Sequence, residues 1–328
     1  MVESPSLPFK NSTLIYNPIA GRHPKRREKQ IREVLAVLQT SGNAVKLAPT
    51  SGPSNAAELA RAAVRQGDDL ILVCGGDGTI NEVINGIAPA RVTLGILPGG
   101  TANIAAKELG LPHNPVRAAE ELSSWSPRRI ALGLATWTEG VLPGTLSHAP
   151  AQRYFLSVAG IGFDAYIIHR LSLGFKKSAG VVAYILESLR QFFHYSFFPF
   201  TCRLEDGELQ ATFAIVHRTS RYAGWLHTAP SASLFEPRFN LCFFSSLHRA
   251  RYLLYAAAVM VRRHHRLRDV HLVDSTKLEC VGTDPRATVY FEVDGELVGR
   301  LPANFEVVPD ALTLLVPGGG LDTAAPGS

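Results

Sequence analysis

Residues 70–79 read LILVCGGDGT, and the pattern of this stretch predicts how the N-terminal part of the chain folds. Its first half, Leu70–Cys74, is short and apolar throughout, which predicts a buried strand. Apolar side chains then recur at helical spacing, at Ile80, Val83, Ile84 and Ile87. Glycine lets a backbone approach a phosphate closely, and a helix N terminus offers unpaired N–H groups. The stretch therefore predicts a strand, a phosphate-binding loop and a helix; a tight turn that needs glycine only for its backbone angles is the alternative.

Two further segments repeat the pattern of a loop after a strand. The second loop, PGGTAN at 98–103, follows the apolar run Val92–Leu97, and the segment NPIAG at 17–21 follows the short strand Thr13–Tyr16. Parallel strands present their carboxyl ends at one edge of the sheet, where such sheets bind ligands. The three segments together predict a phosphate-binding rim. None has the spacing of a P-loop or of the dinucleotide fingerprint.

The chain changes character near residue 128. Before it, strands and helices alternate, which predicts a parallel, doubly wound α/β domain. After it, strand-like runs dominate: Arg129–Trp137, Tyr154–Val158, Thr212–His217, Asn240–Phe244, His271–Cys280 and Thr288–Val293. Helices are predicted at Lys177–Phe193 and Arg249–His265, and hairpin turns at Asp206-Gly207 and Asp294-Gly295. We therefore expect a second, mostly antiparallel domain.

Composition limits the class of protein but does not choose a partner. The 328 residues are 46% hydrophobic and 19% charged, which suits a globular chain of two domains. The formal charge of +5 fits nucleic acid, phosphorylated ligands or an anionic membrane equally well. The four cysteines share no metal-binding or redox spacing, and the N terminus has no apolar signal region. We expect a cytoplasmic protein whose membrane contact is peripheral.

Several motifs in order resemble one family. NPIAG (17–21), GGDGTINEVINGI (75–87) and PGGTANIAAKELGLP (98–112) resemble the N-terminal motifs of the diacylglycerol kinase, sphingosine kinase and bacterial lipid kinase family. VAGIGFDA (158–165), the stretch Lys176–Tyr184 and VDGE (293–296) resemble its C-terminal landmarks. The resemblance implies a nucleotide-binding α/β domain like that of NAD kinase and diacylglycerol kinase, a C-terminal β-sandwich that binds the lipid, and an active site in the cleft between them. Its domain limits are residues 1–127 with a returning strand at about 305–317, residues 128–304, and a disordered tail at 318–328.

The resemblance also implies roles for particular residues. Nucleotide contacts carried over by position are Asn17, Pro18, Ala20, Gly21, Thr50, Gly75, Gly76, Asp77, Gly78, Thr79, Asn81, Glu82, Gly100, Thr101 and Asn103. Asp294 takes the place of the proton acceptor, with Glu296 beside it, and Asp77 is expected near the Mg²⁺ that accompanies ATP. The same Asp-Gly-Glu triplet at 206–208 is interpreted as an ordinary turn.

The sequence departs from the family at two places. Members often have Asp-Asp-Gly-Leu after an Ala-Pro segment, near a structural Mg²⁺; here the segment is APSASLFEPR, at 229–238. Glu236 could offer one oxygen to a metal, but Pro237 stands in the place of the glycine and changes the turn. Ile104 replaces an aspartate after Asn103, which we expect to alter nucleotide contacts slightly.

Two C-terminal features bear on lipid. The run RRHHR at 262–266 is interpreted as the basic end of an amphipathic helix, either simply solvated or in contact with anionic lipid. The aromatic cluster at Phe192, Phe193, Phe197 and Phe198 either receives acyl chains or belongs to the core.

The resemblance therefore predicts an ATP- and Mg²⁺-dependent kinase that phosphorylates a lipid hydroxyl at a membrane surface. We expect no nucleic-acid partner, and a homodimer stays open. Two other functions are weighed: a kinase for a soluble substrate, as in the NAD kinase group that shares Gly-Gly-Asp-Gly-Thr, and a non-catalytic lipid-binding protein on the same fold. The form of the second glycine loop argues against the first.

Overall fold

The computed structural model of the chain describes residues 9–20, 24–40, 44–138, 151–174, 187–223 and 226–318. The chain divides into two compact units: unit 1 is Met1–Ile130 with Asp310–Ser328, and unit 2 is Ala131–Pro309. The sequence placed these boundaries after residue 127 and at about residue 305. The stretch Lys176–Tyr184 and the tail after residue 318, for which sequence analysis made predictions, lie outside the described residues.

The strands are β1 (Ser12–Tyr16), β2 (Val45–Pro49), β3 (Leu70–Gly75), β4 (Thr93–Pro98), β5 (Trp125–Trp137), β6 (Ala151–Phe155), β7 (Val158–Gly162), β8 (Phe200–Leu204), β9 (Gly207–Ala211), β10 (Phe213–His217), β11 (Arg221–Tyr222), β12 (Leu226–His227), β13 (Phe239–Phe244), β14 (Val270–Ser275), β15 (Lys277–Gly282), β16 (Tyr290–Val293), β17 (Glu296–Arg300) and β18 (Ala303–Pro317). The helices are α1 (Pro24–Thr40), α2 (Asn55–Arg65), α3 (Asp77–Ile87), α4 (Ile104–Glu108), α5 (Pro115–Glu121), α6 (Phe163–Gly174), α7 (187–192) and α8 (Arg249–Met260).

Unit 1 is built on a parallel sheet. Its strand order is β2-β1-β3-β4, and β4 pairs in parallel with Thr313 and Leu314 of the returning strand β18. Strands β3 and β4 are buried along their whole lengths, as continuous apolar strands in a helix-covered parallel sheet should be. Helix α2 packs on α3, where Gly86 is needed because an added Cβ would lie 2.5 Å from the Ala57 carbonyl oxygen. The α/β class predicted for this unit is confirmed.

Unit 2 is mostly antiparallel, as predicted. One sheet has the order β14-β13-β10-β7-β16-β17. Further ladders join β5 to β6, β15 to β8 and to the first part of β18, and β8 to β9. A single hydrophobic core contains side chains from both sets of strands, among them Phe155, Phe200, Phe239, Phe291 and Phe305. The predicted β-sandwich is confirmed.

Two segments that were each predicted as one strand form two strands in the structure. His271–Cys280 divides into β14 and β15, which pair with different neighbours, because the Ser275 hydroxyl bonds both the N–H and the carbonyl of Lys277 and interrupts the ladder. Tyr154–Val158 divides between β6 and β7, because the N–H groups at 156–158 bind a carboxylate, that of Asp294.

The helix predicted at Arg249–His265 is shorter in the structure. Helix α8 ends at Met260, and Arg262 takes a left-handed backbone with φ of 57°. The basic residues then form a turn that includes a 3₁₀ segment at His264–Arg266. For the helix predicted at Lys177–Phe193, residues 187–192 are helical and residues 177–186 are outside the described part.

Candidate active site

The predicted rim segments lie side by side in unit 1. The Asn17 N–H donates to the Cys74 carbonyl at 3.3 Å, and the Gly99 N–H donates to the Gly75 carbonyl at 2.9 Å. The Thr50 N–H donates to the Tyr16 carbonyl at 2.9 Å, which brings a fourth strand end to the same edge. Pro18 and Ala20 follow Asn17 on this edge, and Gly21 lies outside the described residues. The strand ends therefore converge as the sequence predicted.

The two glycine loops touch through their backbones. A Cβ on Gly100 would lie 2.4 Å from the Cα of Gly76, and one on Gly76 would lie 3.2 Å from the Cα of Gly100. Gly75 is constrained differently, because its Cβ would meet the side chain of Thr79 at 2.6 Å. Gly76 and Gly100 are thus required for the approach of one loop to the other, a reason that the sequence alone did not supply.

Side chains fix the second loop in place. Asn103 has a left-handed backbone, accepts from the Gly100 N–H at 2.9 Å and donates to the Gly100 carbonyl at 3.1 Å. The Asp77 carboxylate, on the first turn of α3, accepts from the Ile104 N–H at 2.8 Å. Asp77 therefore ties one loop to the other. A bond to a main-chain N–H also explains why residue 104 can be apolar here.

Some residues of α3 that were predicted to contact the nucleotide have other partners in the structure. Both carboxylate oxygens of Glu82 accept main-chain N–H groups, from Ser54 at 2.9 Å and from Ala56 at 3.1 Å. Glu82 thus caps the start of α2, which accounts for it without a nucleotide. Asn81 is fully buried and accepts from the Asn85 side chain. Gly78 and Thr79 lie in the first turn, and Thr101 is exposed on the second loop.

Sequence analysis missed Arg27 of α1. Its guanidinium is buried at the same edge and donates to the carbonyls of Cys74 at 2.5 Å and Asn17 at 3.4 Å. A Cβ on Gly99 would lie 2.3 Å from its Nη2 atom, so Gly99 makes room for this arginine. Within the described residues no carboxylate lies at ion-pair distance from Arg27. Nothing in the run PKRREK distinguishes Arg27 from its basic neighbours, so only the packing reveals it.

Asp294 is an anchor in unit 2. Its carboxylate accepts main-chain N–H groups from Leu156 at 2.9 Å, Ser157 at 2.8 Å and Val158 at 3.1 Å. Asp294 and Gly295, with φ of 49° and 84°, are the two central residues of the hairpin turn. The bonds to three N–H groups hold the turn on the 156–158 segment. The matching residue of the other Asp-Gly-Glu triplet, Asp206, has a different position in its turn. It is the second central residue, and Gly207 begins β9.

Two other carboxyl groups lie near Asp294 and were missed by sequence analysis. A Cβ on Gly160 would lie 2.6 Å from Asp164 Oδ2 and 2.8 Å from Glu292 Oε1, so the two carboxyl groups flank this glycine. Glu292 also accepts from the Gly295 N–H at 2.7 Å. Burial raises the pKa of Glu292 well above its ordinary value, and the charges of Asp164 and Asp294 raise it further. Glu292 therefore keeps its proton to a higher pH than an ordinary glutamate does.

Glu296 is engaged in an ion pair. Its carboxylate lies 2.5 Å from the Arg153 guanidinium on β6, and both side chains are partly exposed. This pairing fixes the first residue of β17 against a neighbouring ladder. Sequence analysis did not predict this ion pair, because the two residues are far apart along the chain.

The residues present do not fit the ancillary Mg²⁺ site expected near Glu236. The fully buried Arg218 guanidinium donates to the carbonyls of Leu234 at 2.9 Å and Arg238 at 2.6 Å, and also to that of Glu236. The Glu236 carboxylate pairs with Arg238 at 2.6 Å. Burial lowers the pKa of Arg218 to about 10, so it remains a cation at neutral pH. The guanidinium of Arg218 thus binds the carbonyl oxygens of this loop that a metal ion would otherwise use.

Comparisons with known proteins agree on the class of protein. Residues 11–135 match the family described as Diacylglycerol kinase catalytic domain, and residues 157–316 match the YegS C-terminal NAD kinase beta sandwich-like domain. A diacylglycerol kinase of Bacillus subtilis is 29% identical over 304 residues, covering 90% of this chain and 93% of that protein. One of Mycobacterium tuberculosis is 28% identical over 310 residues, covering 93% and 94%.

A solved structure shows the same fold. The crystal structure of a diacylglycerol kinase from Bacillus anthracis superposes with a TM-score of 0.69 at 19% identity, covering 96% of this chain and all of that one (100%). In the described residues, no helix combines the length and the apolar character needed to cross a bilayer.

Proposed function

This chain belongs to the diacylglycerol kinase catalytic-domain family and is a lipid kinase, and from that premise we propose that it transfers the γ-phosphoryl group of ATP to a hydroxyl of diacylglycerol or a similar lipid. The observation that carries the proposal is the rim of unit 1, where two glycine loops end neighbouring parallel strands and touch at Gly76 and Gly100. Such loops leave main-chain N–H groups open to an anion. The relatives named diacylglycerol kinase support the choice of substrate.

In this proposal the phosphates lie against the first turn of α3 and the loop before α4. Phosphoryl transfer requires an in-line hydroxyl and neutralised phosphate charge more than covalent help from the protein. Mg²⁺ bound with ATP would supply neutralisation, and Asp77 is the rim carboxylate able to contribute an oxygen to it. Arg27 holds the ends of β1 and β3 and adds a buried positive charge to this edge.

Asp294 is proposed to accept the proton of the attacking hydroxyl. The support is the resemblance of its motif, together with a carboxylate that three N–H groups hold in one orientation. Glu292 and Gly295 fix the turn from the other side. Glu296, paired with Arg153, is a positioning residue in this proposal.

Action at a membrane surface is part of the proposal, because the acceptor is a lipid. The basic turn after α8 is evidence that this surface is a bilayer with anionic headgroups. The cytoplasmic location and a homodimer stay predictions.

Calorimetric titration with ATP and Mg²⁺ tests the rim. We expect Gly100→Ala to weaken ATP binding at least tenfold (about 1.4 kcal/mol), because its Cβ would push Gly76 and Gly100 apart. Gly282→Ala is the matched control, since nothing lies within 4 Å of the added Cβ, and it should bind ATP like the wild type. Equal ATP affinity in Gly100→Ala and the wild type would show that the nucleotide binds elsewhere.

A further inference from the structure

The outer face of α8 is apolar from Leu253 onward, after the exposed Arg249 in its first turn. The helix exposes residues spaced i, i+1, i+3, i+4, i+7 and i+8, continuing into the residue after its end: Leu253, Leu254, Ala256, Ala257, Met260 and Val261. This spacing forms one continuous stripe on an α-helix. Met260 is 67% exposed and Val261 64%. A helix on the surface of a globular domain normally presents polar side chains to solvent. An apolar stripe in that position indicates a surface that another molecule covers.

The inner face of α8 already has its packing partners. Tyr252 stacks on Phe197 with ring centroids 3.7 Å apart, and Tyr255 packs against Phe244. Arg251 forms an ion pair with Asp269, which also accepts from the Tyr255 hydroxyl. These contacts therefore fix the rotation of α8 about its axis. The outer stripe is not a second face that could replace the inner one in the core.

Exposed apolar side chains concentrate around this helix. Within the described residues, large hydrophobic side chains are exposed at ten positions, and five of them lie between Leu247 and Val261. Phe193 adds a sixth beside the start of α8, where the Arg249 guanidinium donates to the Phe193 carbonyl. Scattered exposure would be ordinary, whereas concentration in one region of unit 2 marks an interaction surface.

A basic turn continues the stripe. Arg262, Arg263, Arg266 and Arg268 follow directly and are exposed. In the described part of the chain no carboxylate lies at ion-pair distance from any of the four. His264 in the same turn is buried, bonds the Thr228 carbonyl at 3.0 Å, and has its pKa lowered by burial, so the arginines carry the charge.

We propose that the outer face of α8 and the basic turn that follows it form the surface through which this protein docks on an anionic lipid bilayer, the leucine, methionine and valine side chains entering the headgroup region and the arginines binding lipid phosphates. The inference rests on the proposed function, because a kinase with a lipid acceptor must reach a bilayer. Apolar burial with flanking basic charge is the combination that binds helices to such interfaces.

Charge decides between a bilayer and a second copy of the chain. Two copies joined through this stripe would each bring to the same region four arginines that have no carboxylate partner in the described part of the chain, and like charges there repel. An anionic bilayer offers instead both an apolar interior and negative phosphates. Complementary charge therefore favours lipid.

Sedimentation with vesicles of phosphatidylcholine, with and without phosphatidylserine, tests the surface. The apolar variant replaces Leu253, Leu254, Met260 and Val261 by Gln; the basic variant replaces Arg263, Arg266 and Arg268 by Gln. We expect the apolar variant to lose at least about tenfold in binding to both vesicle types. The basic variant should lose on the order of 100-fold, only with phosphatidylserine and only at low salt. The control Leu47→Gln with Leu272→Gln, exposed leucines on β2 and β14, should bind like the wild type.

Kinase assays separate this inference from the proposed function. With a short-chain diacylglycerol dissolved as monomers, both variants should turn over like the wild type, while on vesicles they should be slower. Wild-type vesicle binding without phosphorylation of either substrate would refute the proposed function and leave the surface intact. Variants that bind vesicles like the wild type would overturn the surface. So would a wild-type dimer that the apolar variant dissociates without any change in vesicle binding.

Discussion

At the scale of single residues, Asp294 anchors a turn in the structure and is also the proposed proton acceptor. A single substitution tests both roles only if stability and turnover are both measured. Asp294→Asn places an NH₂ group against main-chain N–H donors that now bind oxygen. We expect the free energy of unfolding in urea to fall by about 1–3 kcal/mol. Turnover of the folded enzyme should fall by about 10²–10⁴, the usual contribution of a general base.

The control for this prediction is Asp206→Asn, in the other Asp-Gly-Glu triplet. Asp206 sits one position later in its turn, and we expect neither stability nor turnover to change. Lower stability with normal turnover in Asp294→Asn would leave Asp294 as an anchor only, and Asp77 would become the leading candidate for the base.

Glu292 should make stability depend on pH in a direction unusual for a carboxyl group. Its folded pKa is raised above the ordinary value of 4.5. Between that value and the raised one, the folded chain holds a proton that the unfolded chain has lost, so stability falls as pH rises through this window. Glu292→Gln cannot ionise and still accepts from the Gly295 N–H. Its free energy of unfolding, measured over roughly pH 5 to 8, should decline less than that of the wild type.

The exposed Glu208→Gln provides the comparison for Glu292, since it removes a carboxyl group that is not buried. Its stability should follow the wild-type pH curve. A Glu292→Gln curve parallel to the wild type would mean that Glu292 is ionised in the folded chain.

At the scale of elements, the loop at 229–238 is organised by Arg218. Arg218→Met would leave the carbonyls of Leu234, Glu236 and Arg238 without their donor, and we expect a loss of about 3–5 kcal/mol in unfolding free energy. Arg218→Lys should recover only part, because an ammonium cannot reach all of these oxygens. A chelator should leave the melting temperature of the wild type unchanged. If EDTA lowers it and Mg²⁺ restores it, a metal holds this loop after all.

Sequence patterns predicted most elements of unit 1 and the location of the rim. Continuous apolar strands and glycine loops are local signals, and the ends of β1, β3 and β4 meet as expected. The patterns failed where a distant partner decides the local structure. The break between β6 and β7 depends on Asp294, more than a hundred residues away. The hydrogen bonds of the Glu82 carboxylate depend on the main-chain N–H groups at the start of α2.

The site shows the same limit. Gly99 reads as part of a phosphate loop, yet its lack of a side chain makes room for Arg27, which lies on another element. Sequence analysis predicted an amphipathic helix here but not which face packs inward, because Tyr252 and Tyr255 take the inner face of α8 and leave the leucines outside. Contacts between elements, rather than periodicity, settled both points.

At the scale of the whole molecule, each unit has its own part in the proposed reaction. Unit 1 contains the glycine loops and Arg27, and unit 2 contains Asp294 and the apolar face of α8. A kinase for a soluble substrate would need the first set but would have no use for an exposed apolar helix next to four exposed arginines, none of which has a carboxylate partner among the described residues. The two sets together favour a lipid acceptor over NAD.

The most direct test is to follow the γ-phosphate in a single reaction. The protein is incubated with γ-labelled ATP, Mg²⁺, NAD and mixed micelles containing diacylglycerol, and the labelled product is identified by mass. We predict that the label appears on the lipid hydroxyl as phosphatidic acid, and that Asp77→Ala abolishes the transfer. Label on NAD, or no label on either acceptor with correctly folded protein, would contradict the account.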